Sequence, residues 1–365
     1  MNVLLLAHHF YPTIGGIESY ALGLAKSLRE NNIDCGVACL NRDPVTRQRL
    51  AAEEVIAGIQ VRRVPFWDFG FYKIAFGLLK EIKKADIVHV QNIGFLSDFA
   101  LLSRFLHKKP VIISTHGGIS HTKERPALKG FYSKWLGFLL KKADFVIADS
   151  RQDFADFEKM AKSIRMVENG VEIEDFLSLE RKPKSGSFVF VGRLAKNKRI
   201  DLLLEAFALV LQKKPDAMLR IVGSDFDNIL YELQQKSIDL EISNRVFFSQ
   251  NISAAQLLEI ISESEFFVSA SETEGFGISA VEAMAAGCIP ILNDIDAFKA
   301  FVNDGRNGFL ADFTNPNSAA EKIVSAMNLK GEEKARISEN ARSSVKKYSW
   351  KKVAAQIILI YEEKI

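Results

Sequence analysis

"NGVEIEDFLSLERKPKSGS", residues 169–187, separates two similar halves of the chain. This segment has no apolar periodicity and gathers Gly, Pro, Ser and charged residues, as linkers between domains tend to do. Before it, short apolar runs such as "NVLLLAHH", "DIVHVQ" and "DFVIADS" alternate with helix-like segments, and after it "FVFVGR", "MLRIVGS" and "FFVSAS" repeat that pattern. Short buried strands that alternate with helices predict a parallel sheet covered on both faces. The sequence therefore predicts two doubly wound α/β domains.

We place the first domain at residues 1–175 and the second at 176–348. The last segment, 349–365, contains "WKKVAAQIILIYEEKI", an amphipathic helix that could complete the second domain or pack back on the first. Ligands of doubly wound sheets bind beyond the carboxyl ends of the strands. The loops that follow the strands are therefore where we expect the functional residues.

Composition excludes several classes of protein. A length of 365 residues with 48% hydrophobic content is ordinary for a globular protein and too long for one typical core. A net charge of +3 is too small to indicate a nucleic-acid partner, and no zinc-finger spacing is present. The three cysteines form no CxxC pair, which favours a reducing compartment. No apolar run approaches the roughly 18 residues of a spanning helix, so we expect a cytoplasmic protein.

The net charge is unevenly distributed. Residues 60–142 carry 15 lysines and arginines against 5 acidic residues, a charge of +10 that leaves −7 for the remainder. Within this region "LKGFYSKWLGFLLKK" (128–142) mixes lysines with aromatic residues, as a helix on an anionic membrane would. A helix packed on its own sheet with its lysines towards water explains the same pattern. The sequence leaves peripheral membrane contact and this ordinary packing both open.

Three motifs follow predicted strands. In "HHFYPTIGGIES" (8–19), Gly15 and Gly16 precede a helix, where backbone N–H groups can approach a phosphate; an ordinary strand-to-helix turn is the alternative. Neither GxGxxG nor a Walker motif is present, so binding of NAD and hydrolysis of ATP lack their usual support. In "VFVGRLAKNKRID" (189–201), Arg193 and Lys198 follow a strand and could hold a diphosphate, or belong to a solvated run of charges.

The third motif, "TEGFGISAVE" (273–282), is the most specific. Glu274 lies just before a predicted helix and Glu282 about one turn inside it, where a carboxylate can accept hydrogen bonds from a vicinal diol such as ribose. Exposed surface carboxylates are the alternative. Backbone amides at the helix start can donate to a phosphate or to sugar hydroxyls, and they belong to Gly275, Phe276, Gly277 and Ile278.

Together with "THGG" and "VENGVEIEDF", these motifs resemble the retaining GT-B glycosyltransferases of family 4, over residues 1 to about 350. "STHGGISHT" and "EGFGISAVEAMAAGCIPILNDIDAF" are similar to the bacterial exopolysaccharide mannosyltransferases of the xanthan and acetan type. The resemblance implies two Rossmann-like domains that face a central cleft. It also implies transfer of mannose from GDP-mannose to a polyprenyl-diphosphate-linked oligosaccharide, without a metal or other cofactor. A UDP-sugar donor with another glycan or lipid acceptor, a non-catalytic nucleotide-sugar sensor and a pyridoxal-phosphate-dependent phosphorylase are the alternatives.

The resemblance also implies site roles. Gly15 and Gly16 lie beside the donor diphosphate, and His116 contacts the donor sugar near the reacting carbon. Arg193 and Lys198 clamp the diphosphate, Glu274 and the amides of 275–278 face the transferred sugar, and Glu282 holds the ribose. Residues that match the narrower group, without an assignable role beyond the acceptor side, are His121, Thr122 and Ser150.

Two features depart from a simple reading of these motifs. Arg199 stands where many relatives have the glycine of a Lys-Gly pair, which leaves the shape of that loop open. Asp294 and Asp296 form a DxD pair, a metal signature of a different glycosyltransferase fold, but they follow the strand "IPILN" of a doubly wound domain. We therefore expect no metal site there.

Overall fold

The computed structural model describes residues 1–13, 15–44, 46–70, 72–117 and 135–364, so His121 and Thr122 lie outside the described residues. The chain divides into two units, Met1–Gly170 with Trp350–Ile365, and Val171–Ser349. The division falls before the predicted boundary at 175/176. The Val171 N–H donates to the Tyr348 carbonyl at 2.8 Å, and Phe176 is buried in the core of the second unit. Residues 171–175 therefore belong to the second unit.

Among the described residues, the first unit has an eight-stranded sheet with the order β10-β9-β8-β7-β1-β2-β4-β3. Its neighbouring strands are parallel except for β3, which runs antiparallel to β4. A separate antiparallel hairpin is formed by β5 and β6. The strands are β1 Asn2–Leu6, β2 Asp34–Leu40, β3 Glu53–Ile56, β4 Ile59–Val64, β5 Trp67–Asp68, β6 Lys73–Ile74, β7 Ile87–Gln91, β8 Val111–Ser114, β9 Phe145–Ala148 and β10 Ile164–Met166.

Helices cover both faces of this sheet. Alternate side chains of β1 point to opposite faces, so Val3 packs with the first and last helices of the chain and Leu4 with the helices between them. Residues 135–140 are also helical and cover the Leu4 face. The helices of this unit are α1 Gly16–Glu30, α2 Leu78–Lys84, α3 Phe95–Leu102, α4 Arg104–His107, α5 Arg151–Phe157 and, numbered last in chain order, α14 Trp350–Glu362.

The second unit has a parallel sheet with the order β13-β12-β11-β14-β15-β16. The strands are β11 Lys184–Val191, β12 Met218–Val222, β13 Val246–Ser249, β14 Ser264–Ser269, β15 Ile289–Asn293 and β16 Phe309–Ala311. The helices are α6 Glu174–Leu177, α7 Ile200–Lys213, α8 Leu230–Asp239, α9 Ala254–Glu263, α10 Ile278–Ala286, α11 Asp296–Lys299, α12 Pro316–Met327 and α13 Gly331–Val345. One mostly parallel sheet and one parallel sheet, each with helices on its faces, confirm the predicted α/β class.

The last helix, α14, packs on the first unit rather than the second. The Trp350 ring lies against Gly23 of α1 and against Gly170, so closely that a Cβ on either glycine would come within 2.5 Å of the ring. At the other end of α14 the Tyr361 hydroxyl lies 2.6 Å from Nδ1 of the buried His89, whose Nε2 lies 2.8 Å from the Ser114 hydroxyl. Burial lowers the pKa of His89 to about 3, so this polar contact stays uncharged.

The close approach of Trp350 to α1 gives a stability prediction. Gly23→Ala places a Cβ 2.3 Å from the indole ring, and overpacking of this kind costs about 1–3 kcal/mol of unfolding free energy. Gly16→Ala on the same helix is the matched control, because no atom lies within 4 Å of its new Cβ. Urea unfolding of both variants measures the difference. Equal stability of the two variants would contradict the packing described here.

Candidate functional site

Two loops of the second unit leave the same edge of its sheet, because β11 and β14 are neighbours. Asn197, in the loop after β11, joins them: its carbonyl accepts from the Glu272 N–H at 2.9 Å and its side-chain Nδ2 donates to the Thr273 carbonyl at 3.1 Å. The predicted cation loop and the predicted glutamate loop are therefore held in contact.

Lys198 and Glu274 meet at this junction. The Lys198 Nζ lies 2.6 and 2.7 Å from the two carboxylate oxygens of Glu274, and their side chains are only 14% and 15% exposed. Charge-assisted hydrogen bonds of this length are strong. A diphosphate that binds Lys198 must therefore compete with Glu274 for its donors.

Arg193 is exposed at the same edge, and its guanidinium lies 4.5 Å from the centroid of the Phe226 ring. The Phe226 N–H donates to the Leu194 carbonyl at 3.1 Å. The loop after β12 approaches so closely that a Cβ on Gly223, whose φ is +158°, would lie 1.7 Å from the Gly192 carbonyl oxygen. The sequence predicts that loops near 223–226 and 249–253 recognise the donor base, but it does not reveal these contacts of Phe226 and Gly223; the glycine after "MLRIV" was the available signal.

Arg199 keeps the backbone geometry that a glycine would adopt. Its φ is +46°, in the left-handed region, which explains why a Lys-Gly pair suits this loop. Its guanidinium lies 3.0 Å from an Asp201 carboxylate oxygen and 3.3 Å from one of Glu272. The positive charge of Arg199 is therefore already paired with acidic neighbours.

Helix α10 begins with amides that have no acceptor. Gly277 caps it with φ +97°, and a Cβ there would lie 2.8 Å from the Phe298 ring. A Cβ on Gly275 would meet no atom within 4 Å. Within the described ranges no carbonyl or side chain accepts from the Ile278 or Ser279 N–H. The helix therefore presents donors and a positive end where an anion or hydroxyl could bind.

Glu282, in the second turn of α10, is largely buried. Burial raises the pKa of its carboxyl to about 7. In the described chain no cationic side chain forms an ion pair with it. A buried acceptor of this kind suits a ligand that supplies hydroxyl donors.

In the first unit the His116 ring is held inside the protein. It follows β8 with φ +47°, and its side chain is 6% exposed. The ring Nε2 lies 3.0 Å from Gln91 Oε1 and Nδ1 lies 3.4 Å from Asp149 Oδ2. The Tyr20 and His116 rings pack in a T-shaped arrangement with 4.5 Å between centroids. Both ring nitrogens therefore have protein partners. Gln91 and Asp149 end the runs "DIVHVQ" and "VIAD" and were missed because neither run marks a site by itself.

Asp149 and Asp153 form a carboxylate pair beneath His116. Burial and the neighbouring Asp149 raise the pKa of Asp153 to about 6. Burial also raises the pKa of Asp149, but its contact with His116 outweighs that effect and the pKa lies below its usual value. Ser150 caps helix α5 by accepting from the Asp153 N–H at 3.1 Å. The structure thus gives Ser150 a local role, and its predicted place on the acceptor side stays a prediction.

The turn at Gly15 and Gly16 carries a carboxylate of its own. An added Cβ on Gly15 would lie 2.5 Å from Glu18 Oε2, whereas Gly16 has open space. Burial raises the pKa of the Glu18 carboxyl. A phosphate at Gly15 would therefore have to displace Glu18, which sequence reasoning did not foresee.

Three further observations bear on the predictions. Asp294 of the DxD pair lies 2.8 Å from the Lys299 Nζ. In the part of the chain that the structure describes, no group of three His, Cys, Asp or Glu side chains could hold a metal ion. No described helix is both long enough and apolar enough to cross a bilayer.

Comparisons with known proteins agree with the two-unit architecture. Residues 14–175 match the Glycosyltransferase Family 4 profile and residues 171–344 match Glycosyl transferases group 1. The chain is 31% identical to the GDP-mannose:cellobiosyl-diphosphopolyprenol alpha-mannosyltransferase of Xanthomonas campestris, over 98% of this chain and 96% of that protein. It is 28% identical to the protein of that name from Komagataeibacter xylinus, over 100% and 93% of the two chains. HepE of Anabaena, solved with UDP, superposes with a TM-score of 0.76 at 19% identity over the full length of both chains.

The raised pKa of Glu282 predicts a pH-dependent stability. Its folded pKa of about 7 exceeds the reference value of 4.5, so ionisation of this group lowers the unfolding free energy as the pH rises from about 4.5 to above 7. Glu282→Gln should leave stability at pH 5 nearly unchanged and raise it at pH 8 by about 1–2 kcal/mol. Urea unfolding at both pH values measures this. An equal effect at pH 5 and pH 8 would contradict the raised pKa.

Proposed function

This chain belongs to the family 4 glycosyltransferases, and from that premise we propose that it transfers mannose, with retention, from GDP-mannose to a polyprenyl-diphosphate-linked sugar. The printed names of the Xanthomonas and Komagataeibacter relatives support the donor and the acceptor. The resemblance of the sequence to exopolysaccharide enzymes supports a place in glycan biosynthesis.

The observation that carries the proposal is the meeting of donor-binding groups at one sheet edge of the second unit. Lys198 and Glu274 are in contact there, and the free amides of α10 begin beside them. Arg193 leaves the same edge after β11. In the proposed complex these groups bind the diphosphate and the mannose, and Glu282 accepts from the ribose hydroxyls. The roles proposed for Gly15, Gly16 and His116 beside the donor involve residues of the other unit and stay predictions.

The proposed chemistry needs no metal. A hydroxyl of the acceptor attacks C1 of mannose, and the bond from C1 to the β-phosphate oxygen of GDP breaks. The hydroxyl proton passes to the leaving phosphate, so the products are GDP and the mannosylated acceptor. Attack and departure on the same face retain the configuration at C1. Negative charge grows on the leaving phosphate, where Lys198, Arg193 and the positive end of α10 would stabilise it.

Lys198→Ala tests this mechanism. A preorganised charge-stabilising donor contributes about 2.7–4 kcal/mol to catalysis, so turnover should fall roughly a hundredfold to a thousandfold. The assay measures transfer of radiolabelled mannose from GDP-mannose to a polyprenyl-diphosphate-linked disaccharide, and NMR of the product reports its anomeric configuration. Lys196→Ala, an exposed change in the same loop, is the control and should retain activity. Inhibition of the unmodified enzyme by EDTA, or an inverted product, would count against the mechanism.

The donor base is tested separately by thermal shift. GDP should raise the melting temperature more than UDP at equal concentration, because a ligand stabilises the folded state in proportion to its affinity. A larger shift with UDP would favour the runner-up, a UDP-sugar-dependent transferase. No shift with either nucleotide would remove the nucleotide-sugar proposal.

We also propose that the first unit binds the surface of an anionic membrane, where a lipid-linked acceptor resides. Leu136, Leu139 and Leu140 pack on the sheet, as the ordinary reading of the sequence predicts. The same helical turn exposes Trp135 and Phe138, and α4 exposes Phe105 at 75%. The lysines on the neighbouring helix α2, or just beyond the ends of the two exposed helices, are Lys80, Lys83, Lys84, Lys108, Lys109, Lys141 and Lys142. Residues 128–134 of the predicted membrane segment lie outside the described residues.

Vesicle sedimentation tests this surface. The double variant Phe105→Ser and Phe138→Ser should bind vesicles containing phosphatidylglycerol at least tenfold more weakly, since burial of one Phe side chain contributes about 1.5–3 kcal/mol. Tyr231→Ser with Phe247→Ser, two exposed aromatics of the second unit, is the matched control and should bind normally. Binding of the unmodified protein should weaken as salt increases. Failure of that protein to bind these vesicles at low salt would contradict the proposal.

A further inference from the structure

Positive side chains gather at the carboxyl edge of the first unit's sheet, where none of the roles above places them. The His8 ring, after β1, stacks on Phe95 with 4.5 Å between centroids. The Nζ of Lys73, on the β5–β6 hairpin, lies 6.0 Å from the centroid of the Phe95 ring. Phe95 therefore connects the loop after β1 with the hairpin.

The loop after β2 joins this cluster. The Leu40 N–H donates to the His8 carbonyl at 3.2 Å, and the Thr13 hydroxyl donates to Asp43 at 3.1 Å. The His9 ring is hydrogen-bonded to the Arg42 backbone. Burial is the largest cause of the lowered pKa of His9, and the charges of Lys73 and Arg47 lower it further. Both cations therefore act on the same ring.

The cations of this cluster form no ion pairs in the part of the chain that the structure describes. Among the described residues, no acidic side chain forms an ion pair with Arg42, Arg47 or Lys73. Three acidic groups lie nearby: Asp43 accepts from Thr13 and from Thr46, Asp68 lies opposite Lys73 in the hairpin and accepts from the Gly70 N–H, and the buried Asp98 neighbours Tyr72. Arg47 and Lys73 therefore keep their donors available to an anion.

Two ring nitrogens in the cluster have no protein partner in the described ranges. They are His8 Nε2 and His9 Nδ1, and both atoms are buried. Burial, followed by the charges of His9 and Lys73, lowers the pKa of His8 to about 4, so its ring is neutral near pH 7. Buried polar atoms are ordinarily hydrogen-bonded, and a phosphate oxygen could accept from an N–H at either position.

We propose that His8, His9, Arg47 and Lys73 bind the diphosphate of the lipid-linked acceptor. The proposal rests on the proposed function for the identity of the acceptor. Paired phosphates match several convergent cations and N–H donors.

Apolar surface beside the cluster favours a prenyl diphosphate over a free phosphate. Trp67 and Phe69, on the same hairpin as Lys73, are 59% and 64% exposed. Phe76 is also exposed, and its ring lies 5.7 Å from that of Trp67. A phosphate binding site alone does not need this surface, whereas a prenyl chain attached to a diphosphate would bury part of it.

Binding of farnesyl diphosphate and of GDP, each measured by calorimetry, tests the assignment. Arg47→Gln and Lys73→Gln should each weaken farnesyl diphosphate binding about tenfold and leave GDP binding unchanged. Lys198→Ala should weaken GDP binding about tenfold and leave farnesyl diphosphate binding unchanged. Lys159→Gln is the matched control. It removes one exposed charge between α5 and β10, and β10 is an edge strand on the other side of the sheet from β2. This variant should change neither affinity.

Further measurements separate the possible sources of the diphosphate. Inorganic pyrophosphate should bind more weakly than farnesyl diphosphate; equal binding would show a free-phosphate site and overturn the assignment. Loss of binding only to phosphatidylglycerol vesicles in the Arg47→Gln and Lys73→Gln variants would also overturn it. Arg47 is exposed, so Arg47→Gln should not destabilise the fold. It therefore tests the site even if Lys73→Gln lowers the melting temperature. If farnesyl diphosphate binds as expected but no nucleotide does, the donor part of the proposed function fails while this anion site stands.

Discussion

In a parallel sheet the loops that follow neighbouring strands leave from one edge, and the second unit depends on this constraint. Lys198 and Glu274 are 76 residues apart in the chain, yet they touch because β11 pairs with β14. The same pairing places the amides of α10 beside them. A contact between two opposite and largely buried charges contributes little to the free energy of unfolding, because both groups lose their hydration when they are buried. In the proposed function, the pair holds a cation and a carboxylate where a sugar nucleotide would exchange contacts with both.

The two units differ in how they treat charge. In the second unit Lys198 and Arg199 are paired with carboxylates, and Glu282 is a carboxyl kept partly neutral by burial. In the first unit Arg47 and Lys73 have no ion-pair partner in the described chain. Paired groups must be displaced by a ligand, which favours selectivity, whereas unpaired cations attract anions of many kinds and rely on neighbouring apolar surface for discrimination. This difference suits a nucleotide on one unit and a lipid-linked head group on the other.

Contacts between distant segments also orient side chains that a sequence motif identifies but does not position. His116 lies in "THGG", but its ring is oriented by Gln91 from β7 and Asp149 from the end of β9. The return of α14 through Trp350 and Tyr361 completes the face of the sheet on which His89 lies. The orientation of His116, a predicted catalytic residue, therefore depends on segments far from it in the chain.

The sequence by itself determined the alternation of strands and helices, the presence of two α/β domains and the motifs of the family, because these depend on local periodicity and on residue types at short spacing. It also placed Arg193, Lys198, Glu274 and Glu282 after the correct strands. Only the tertiary structure decided that α14 joins the first unit, that Lys198 pairs with Glu274 and that burial raises the pKa of Glu282. Those properties come from contacts between segments far apart in the chain and from exclusion of water, and neither is written in the order of neighbouring residues.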